Sequence, residues 1–71
     1  MLSSVQVGTV LELSPGARDA LPYTPSRVTV TSVVARRPGA WVLEWGEVLD
    51  DQELQELIES ARVHPLPPTV L

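Results

Sequence analysis

Few side chains in this sequence could carry acid–base or nucleophilic chemistry, and they lie far apart. The single histidine, His64, stands in a proline-rich stretch, where general acid–base catalysis would lack a rigid geometry. Ser3 and Ser4 lie near the first residue, so a Ser-His-Asp arrangement has little support. The four glycines are scattered, so the sequence offers no glycine-rich loop to bind phosphate. The sequence therefore predicts a protein that is not an enzyme.

Metal and redox chemistry have equally little support in the composition. The chain has no cysteine, which excludes disulfides, thiolate zinc sites and a cysteine nucleophile. The carboxylates between residues 44 and 59 lack the alternating Asp/Asn spacing and the turn glycine of an EF-hand. We therefore expect no cofactor and no metal ion.

The acidic run from 44 to 59 has two interpretations. It is either the solvated outer face of an amphipathic helix or a docking surface for a basic patch on another protein. In the second interpretation the surface could also mimic a nucleic acid and block a nucleic-acid-binding protein. The candidate partner-binding residues on this helix face are Asp51, Gln52, Gln55, Glu56 and Glu59.

The two tryptophans are either core residues or, for one of them, an exposed anchor for a partner, since tryptophan and arginine dominate interface energetics. Arg36 and Trp41 flank a predicted turn, so a cation–π contact between them is expected. Arg36, Arg37 and Trp41 form the second candidate partner-binding surface. An anchor of this kind predicts that Trp41→Ala abolishes binding without unfolding the protein. The basic residues are too dispersed to predict stacking on single-stranded nucleic acid.

Apolar and β-branched residues predict three antiparallel strands. The first strand is expected from Val5 to Leu13, followed by a proline-rich loop over 14–26 with room for one short edge strand at 20–23. Residues 27–36 and 40–48 predict a hairpin, with Pro38 and Gly39 at the centre of a type II turn. Alternation along the second of these strands places Trp41, Leu43 and Trp45 on one face, which should be the covered one. Glu44 lies on the opposite face and indicates that this face is the more solvated one.

A helix from about Asp51 to Arg62 is predicted to cover that face. Its apolar residues recur at helical spacing, at Leu54, Leu57, Ile58 and Ala61. Asp50 is the expected N-cap, with Glu53 three residues later to complete a capping box. Leu49 and Leu54 have the spacing of a hydrophobic staple.

These elements predict a small α+β fold, with a three-stranded antiparallel sheet and one C-terminal amphipathic helix packed on the tryptophan face. We expect a single domain from residue 1 to 64 and a proline-rich extended tail from 65 to 71. The tail contains a PxxP pattern at 65–68 and ends in Thr69-Val70-Leu71, a sequence of the kind that PDZ-type domains bind. Both patterns are short and common by chance.

The charges are unevenly distributed along the 71 residues. Residues 1–43 carry a net charge of +2 and residues 44–71 a net charge of −6, which together give −4. This balance disfavours direct nucleic-acid binding, which needs several cations to displace phosphate counterions. No basic leader and no apolar run of membrane-spanning length is present, so we expect a soluble cytoplasmic protein that does not bind membranes.

One stretch resembles the second half of MbtH-like proteins. It comprises Pro38-Gly39-Ala40-Trp41, Gly46, Leu54 and the pair Ile58-Glu59, about a third of the chain. The resemblance implies a small β-β-β-α protein that binds and activates the adenylation domain of a peptide synthetase. Two of the family's motifs are absent: Leu21-Pro22 stands without the tryptophan of its Trp-Pro, and residues 61–68 lack its closing Trp-Thr-Asp-x-Arg-Pro.

These features together predict a non-enzymatic accessory, adaptor or inhibitory module that docks on a larger protein. A phage or mobile-element origin would suit so short a chain. The first alternative is an acidic mimic of nucleic acid that inhibits a nucleic-acid-binding protein. The second is a self-assembling structural subunit, a homo-oligomer formed by pairing of an exposed strand edge.

Overall fold

The computed structural model describes residues 5–67, and within them the chain forms one helix and five strands. The elements are β1 (Val10–Leu13), a 3₁₀ turn (Pro15–Ala17), β2 (Val30–Arg37), β3 (Ala40–Leu43), β4 (Val48–Asp50), α1 (Asp51–Glu59) and β5 (Val63–Pro65). The strands form one curled antiparallel sheet in the order β4-β3-β2-β1-β5. The predicted α+β class is confirmed, but the predicted strand number of three is wrong.

The first predicted strand is shorter than expected because the chain turns at its first glycine. Gly8 has a φ of +96°, which interrupts the extended backbone, and β1 begins only at Val10. The segment before it still lies along β2, since the Gly8 amide donates to the Val33 carbonyl at 2.8 Å. The short edge strand expected at 20–23 is absent there. Instead, the amides of Ala20 and Leu21 both donate to the Ala17 carbonyl at 3.1 Å and close turns.

The hairpin turn at Pro38 and Gly39 is confirmed, with Gly39 at a φ of +73° as a type II turn requires. The strand predicted from 40 to 48 is two strands, because a second turn interrupts it. The Gly46 amide donates to the Leu43 carbonyl at 3.0 Å, and Gly46 has a φ of +100°. This is a three-residue hairpin loop closed by a glycine in the left-handed region. Trp45 therefore lies on a turn and not on a strand.

The predicted start of the helix is confirmed in detail. The Glu53 amide donates to Asp50 Oδ1 at 2.7 Å, and the Asp50 amide donates to Glu53 Oε1 at 3.2 Å. Both halves of the capping box are therefore formed, each satisfying a backbone amide that lacks a partner in the helix.

The predicted end of the helix is wrong by three residues. The Arg62 amide donates to the Leu57 carbonyl at 3.0 Å and the Ala61 amide to the Ile58 carbonyl at 3.1 Å. These two bonds form a Schellman motif, which ends α1 at Glu59. Ala61 is exposed and has a φ of +59°. The prediction that it belongs to the apolar face of the helix is therefore wrong.

Replacing Ala61 by glycine should increase the free energy of unfolding by about 1 kcal/mol, because alanine in the left-handed region carries a steric cost that glycine avoids. Glycine also has more conformational freedom than alanine in the unfolded chain, which offsets part of this gain in the free energy of unfolding. Urea denaturation of the two proteins measures the difference. Ser60→Gly is the control, since Ser60 has a negative φ. An Ala61→Gly variant less stable than wild type would contradict the left-handed conformation assigned to residue 61.

The chain after the helix returns to the sheet as β5. It pairs with β1 in the register Leu11↔Pro65, Glu12↔His64 and Leu13↔Val63. Pro65 can occupy this position because β5 is an edge strand. The carboxyl-terminal motif Thr69-Val70-Leu71 lies outside the described residues, as does Pro68.

The hydrophobic core lies between the concave face of the sheet and α1. The helix packs on β4, β5 and β3. Trp41 and Leu43 are buried as predicted, whereas Trp45 is 41% exposed, so the prediction of a common buried face was wrong for Trp45. The buried apolar residues are Val5, Leu11, Leu13, Ala17, Leu21, Val33, Trp41, Leu43, Leu49, Leu54, Leu57 and Val63. Within residues 5–67 no helix is long and apolar enough to cross a membrane.

Candidate functional site

The hairpin-end cluster (Arg36, Trp41 and Asp51) joins β2, β3 and the first residue of α1. Arg36 and Trp41 are directly opposed across the β2–β3 ladder. The Arg36 guanidinium carbon lies 4.0 Å from the centre of the Trp41 ring, so the predicted cation–π contact is confirmed. The Trp41 indole N–H donates to Asp51 Oδ1 at 2.7 Å, and Arg36 Nη1 lies 2.9 Å from the same oxygen. Asp51 Oδ1 therefore links the first residue of α1 to both strands of the hairpin.

The electrostatics of this cluster favour the ionised form of Asp51. Hydrogen bonds from Arg36 and then from Trp41 lower the pKa of Asp51 below its ordinary value of 3.8, against an opposing effect of desolvation. Because the pKa is lower in the folded protein, the ionised carboxylate stabilises the fold above pH 3.8. That contribution is lost as the pH falls through the folded-state pKa.

The Asp51→Asn variant should accordingly be less stable than wild type at neutral pH, and the difference should shrink as the pH falls below 3.8 and through the lowered pKa of the folded protein. Denaturant titrations at a series of pH values would measure it. Glu12→Gln is the control, since the exposed Glu12 forms no salt bridge within residues 5–67. A stability difference that stays constant across the whole range would contradict the role assigned to the Asp51 charge.

This geometry changes the interpretation of Trp41 as a partner-binding residue. Its side chain is only 5% exposed and lies beneath Arg36, so a partner could not reach the ring without displacing the arginine. Arg37 is exposed and faces away from the cluster, because it is opposed to Ala40 and not to Trp41. Arg37 therefore lies on the opposite side of the sheet from Arg36 and Trp41, and the three residues do not form one surface.

The second predicted surface, the acidic helix face, is brought together as expected. Asp51, Gln52, Gln55, Glu56 and Glu59 line one shallow depression of about 430 Å³ along α1. Two hydrogen bonds one helical turn apart order it, from Gln52 Nε2 to Glu56 Oε1 (3.3 Å) and from Gln55 Nε2 to Glu59 Oε1 (3.0 Å). Within residues 5–67 neither Glu56 nor Glu59 has a cation within 4 Å. Neither carboxylate is therefore neutralised by an ion pair in the described part of the chain, and Arg62 is the cation that shares a groove with Glu56.

An open groove of about 580 Å³ runs along the other side of the same helix. Leu49 and Leu57 contribute its apolar floor, and Glu53 and Glu56 contribute acidic groups from the helix. The opposite wall is the connection between β1 and β2, which presents Asp19. The sequence did not predict this groove, because only the fold brings residues 19–22 beside α1.

Two exposed aromatic residues lie on loops that a buried hydrogen bond holds together. Thr24 Oγ1 donates to Glu47 Oε2 at 2.8 Å, which joins the β1–β2 connection to the β3–β4 turn. Tyr23 is 74% exposed, and Trp45 lies two residues before Glu47. Glu47 itself is buried, so it does not belong to the exposed acidic run in which its sequence placed it. Nothing in the sequence around Glu47, which follows the Gly46 turn, indicates that its side chain is buried.

The outer face of the sheet, away from α1, carries valines and not the polar side chains that were expected. Val10, Val30, Val34 and Val48 are between 40% and 59% exposed. The expectation of a polar face rested on Glu44 alone. The signal that could have found it is the presence of valines at both parities of β2, which is typical of a strand with two apolar faces.

No protein-family model, no curated protein and no solved structure matches this chain. The resemblance to MbtH-like proteins has no support from these comparisons. The element order also differs from the one it implies, because β5 follows the helix and the sheet has five strands.

Proposed function

We propose that this protein is a non-enzymatic docking module, which binds a basic surface of a larger protein through its acidic helix face. The observation that carries the proposal is the uncompensated charge of Glu56 and Glu59 on an ordered, exposed helix surface. Such a surface attracts a complementary patch over about a Debye length and so favours encounter with it.

The fixed position of the helix supports this assignment. α1 is anchored at its start by the capping box and by the Asp51 cluster, and along its length by Leu54 and Leu57 in the core. A surface held by packing and caps loses little conformational entropy when it binds. The acidic face therefore needs no reorganisation to receive a partner.

We favour a basic protein patch over a nucleic-acid-binding groove as the target. The helix has nine residues, which corresponds to a length of about 13 Å at 1.5 Å per residue. A surface of this length presents few charges in the register of a phosphate backbone, whose charges recur along its whole length. An acidic decoy would need a longer charged surface than the described residues offer.

The test begins with capture of the tagged protein's partner from lysate of the source cells, at low and at high salt, followed by titration of the purified partner. Replacing Glu56 and Glu59 together by glutamine should weaken binding at low salt by about tenfold or more and reduce its salt dependence. Both side chains are exposed, so the fold should be retained.

The matched control removes the same charge from another face. Glu12→Gln with Asp19→Asn changes the net charge by the same amount on β1 and on the β1–β2 connection, outside the acidic helix face, and binding should stay close to that of wild type. Equal loss in the two double variants would show that only the net charge matters. Salt-independent binding that neither variant weakens would refute docking through the helix.

A further inference from the structure

The outer face of the sheet carries four of the eight large hydrophobic residues that are exposed among residues 5–67. The ladder registers place its side chains unambiguously, because opposed residues point to the same side. Val42 lies between buried Trp41 and Leu43 and therefore faces outward, and its partners Ala35 and Val48 do the same. On the neighbouring pair, Val10 and Ser32 are opposed and also face outward.

A bulge in β2 joins these outward-facing side chains into one continuous apolar surface. The register shifts between Val33 and Ala35, which leaves Val34 as the extra residue, half exposed. The valine stripe thus runs across four strands of the sheet, from β4 to β1. It consists of Val10, Val30, Val34, Ala35, Val42 and Val48. Exposed apolar surface of this extent on a small domain typically marks an interface.

Residues of opposite charge lie at the two ends of the β2–β3 pair, on the same face as the stripe. Arg37 stands next to the β2–β3 turn, opposed to Ala40, and is exposed without a salt bridge in the described part of the chain. Glu44 stands at the other end, where its amide donates to the Ser32 carbonyl at 2.9 Å. A second copy that packs face to face with its strands reversed brings Arg37 of each copy to Glu44 of the other. One two-fold axis across the strands produces both contacts, as an isologous interface requires.

We infer that this protein forms a homodimer through the valine stripe, with two equivalent Arg37–Glu44 contacts between the copies. The exposed surface of the protein is 4744 Å², so the roughly 800 Å² per partner of a standard interface corresponds to about a sixth of it. The dimer leaves the acidic helix face free, because α1 covers the opposite side of the sheet. The inference is therefore independent of the proposed docking function.

The strand edges offer a poorer route to self-association than the face does. The edge strands β4 and β5 have three residues each, and β5 contains Pro65, which cannot donate to a ladder. The homodimer that we infer therefore uses the face of the sheet and not its edges.

Sedimentation of the purified chain over a range of concentrations tests the inference. Wild type should be a dimer, and Arg37→Glu and Glu44→Arg should each weaken the dimer by about tenfold or more, because each creates two like-charge contacts. An equimolar mixture of the two variants should recover dimerisation, since both contacts are then of opposite charge. Val34→Lys should yield a monomer.

Tyr23→Lys is the control for the lysine substitution, since Tyr23 is more exposed than Val34 but lies on the β1–β2 connection. It should dimerise as wild type does. Circular dichroism of every variant checks that the fold is retained, and Val48→Lys replaces Val34→Lys if the latter unfolds. Wild type that stays monomeric up to about 1 mM would overturn the inference. So would a dimer that both charge variants leave intact, or a monomer that binds a foreign protein through Val34.

Discussion

Replacing Trp41 by alanine should lower the free energy of unfolding by about 3–5 kcal/mol. The ring is 5% exposed within the core, and truncation would leave a cavity beneath Arg36. It would also remove the indole N–H that donates to Asp51, and with it one link between the hairpin and the helix. A domain of this length has only about 4–10 kcal/mol of stability in total, so much of the variant should be unfolded.

The measurement is urea denaturation followed by circular dichroism, with Trp45→Ala as the matched control. Trp45 lies on the β3–β4 turn and is 41% exposed, so its truncation should cost much less. This outcome differs from that expected for a surface anchor, whose replacement abolishes binding and preserves the fold. A folded Trp41→Ala variant with nearly native stability would show that the ring is not part of the core.

Fluorescence gives an independent check on the same assignment. Trp45→Phe leaves Trp41 as the single tryptophan, and its emission should be that of a buried indole, insensitive to a soluble quencher until the protein unfolds. Trp41→Phe leaves Trp45, whose emission should be quenched in the native state. The reverse assignment would contradict the burial of Trp41.

The features that the sequence predicted well are local ones. The capping box depends on Asp50 and Glu53, three residues apart, and the hairpin turn depends on Pro38 and Gly39. The Arg36–Trp41 contact follows from their positions on either side of that turn. In each case the interacting groups are separated by a few residues, so the physical cause is contained in a short stretch of sequence.

The features that the sequence did not predict depend on distant parts of the chain. The strand β5 exists because Val63–Pro65 pairs with β1, which lies 50 to 54 residues earlier in the chain. The end of α1 was missed because its left-handed position is filled by Ala61, where glycine would have been the recognisable signal. Gly46 was visible as a glycine within a predicted strand, and such a residue indicates an interruption.

The same difference between local and distant causes applies to the acidic helix face and the valine stripe. Helical periodicity alone predicted the residues of the acidic helix face, because α1 presents one side to the core and the other to solvent. The valine stripe depends on a bulge at Val34 that moves later residues of β2 to the other face. A strict alternation of side-chain direction along β2 does not include that shift. The polarity of the outer face was therefore predicted from Glu44 only.

Replacing Thr24 by valine should lower the free energy of unfolding by about 1–3 kcal/mol, because it leaves a buried carboxylate without its hydrogen-bond donor. Glu47 is 3% exposed, and Thr24 Oγ1 donates to its Oε2 at 2.8 Å. Within residues 5–67 its other oxygen, Oε1, has no hydrogen-bond partner. The Thr24 hydroxyl is thus the side-chain donor that compensates for the burial of Glu47.

A double-mutant cycle separates this bond from the packing of its two partners. Glu47→Met keeps an unbranched side chain of similar length without the charge, and with Thr24→Val it replaces both partners by apolar groups. The double variant should recover most of the stability that Thr24→Val loses, because no buried charge then remains to be satisfied. Urea denaturation of the four proteins gives the coupling energy. Additive losses would mean that Thr24 and Glu47 stabilise the two loops by packing, independently of the hydrogen bond between them.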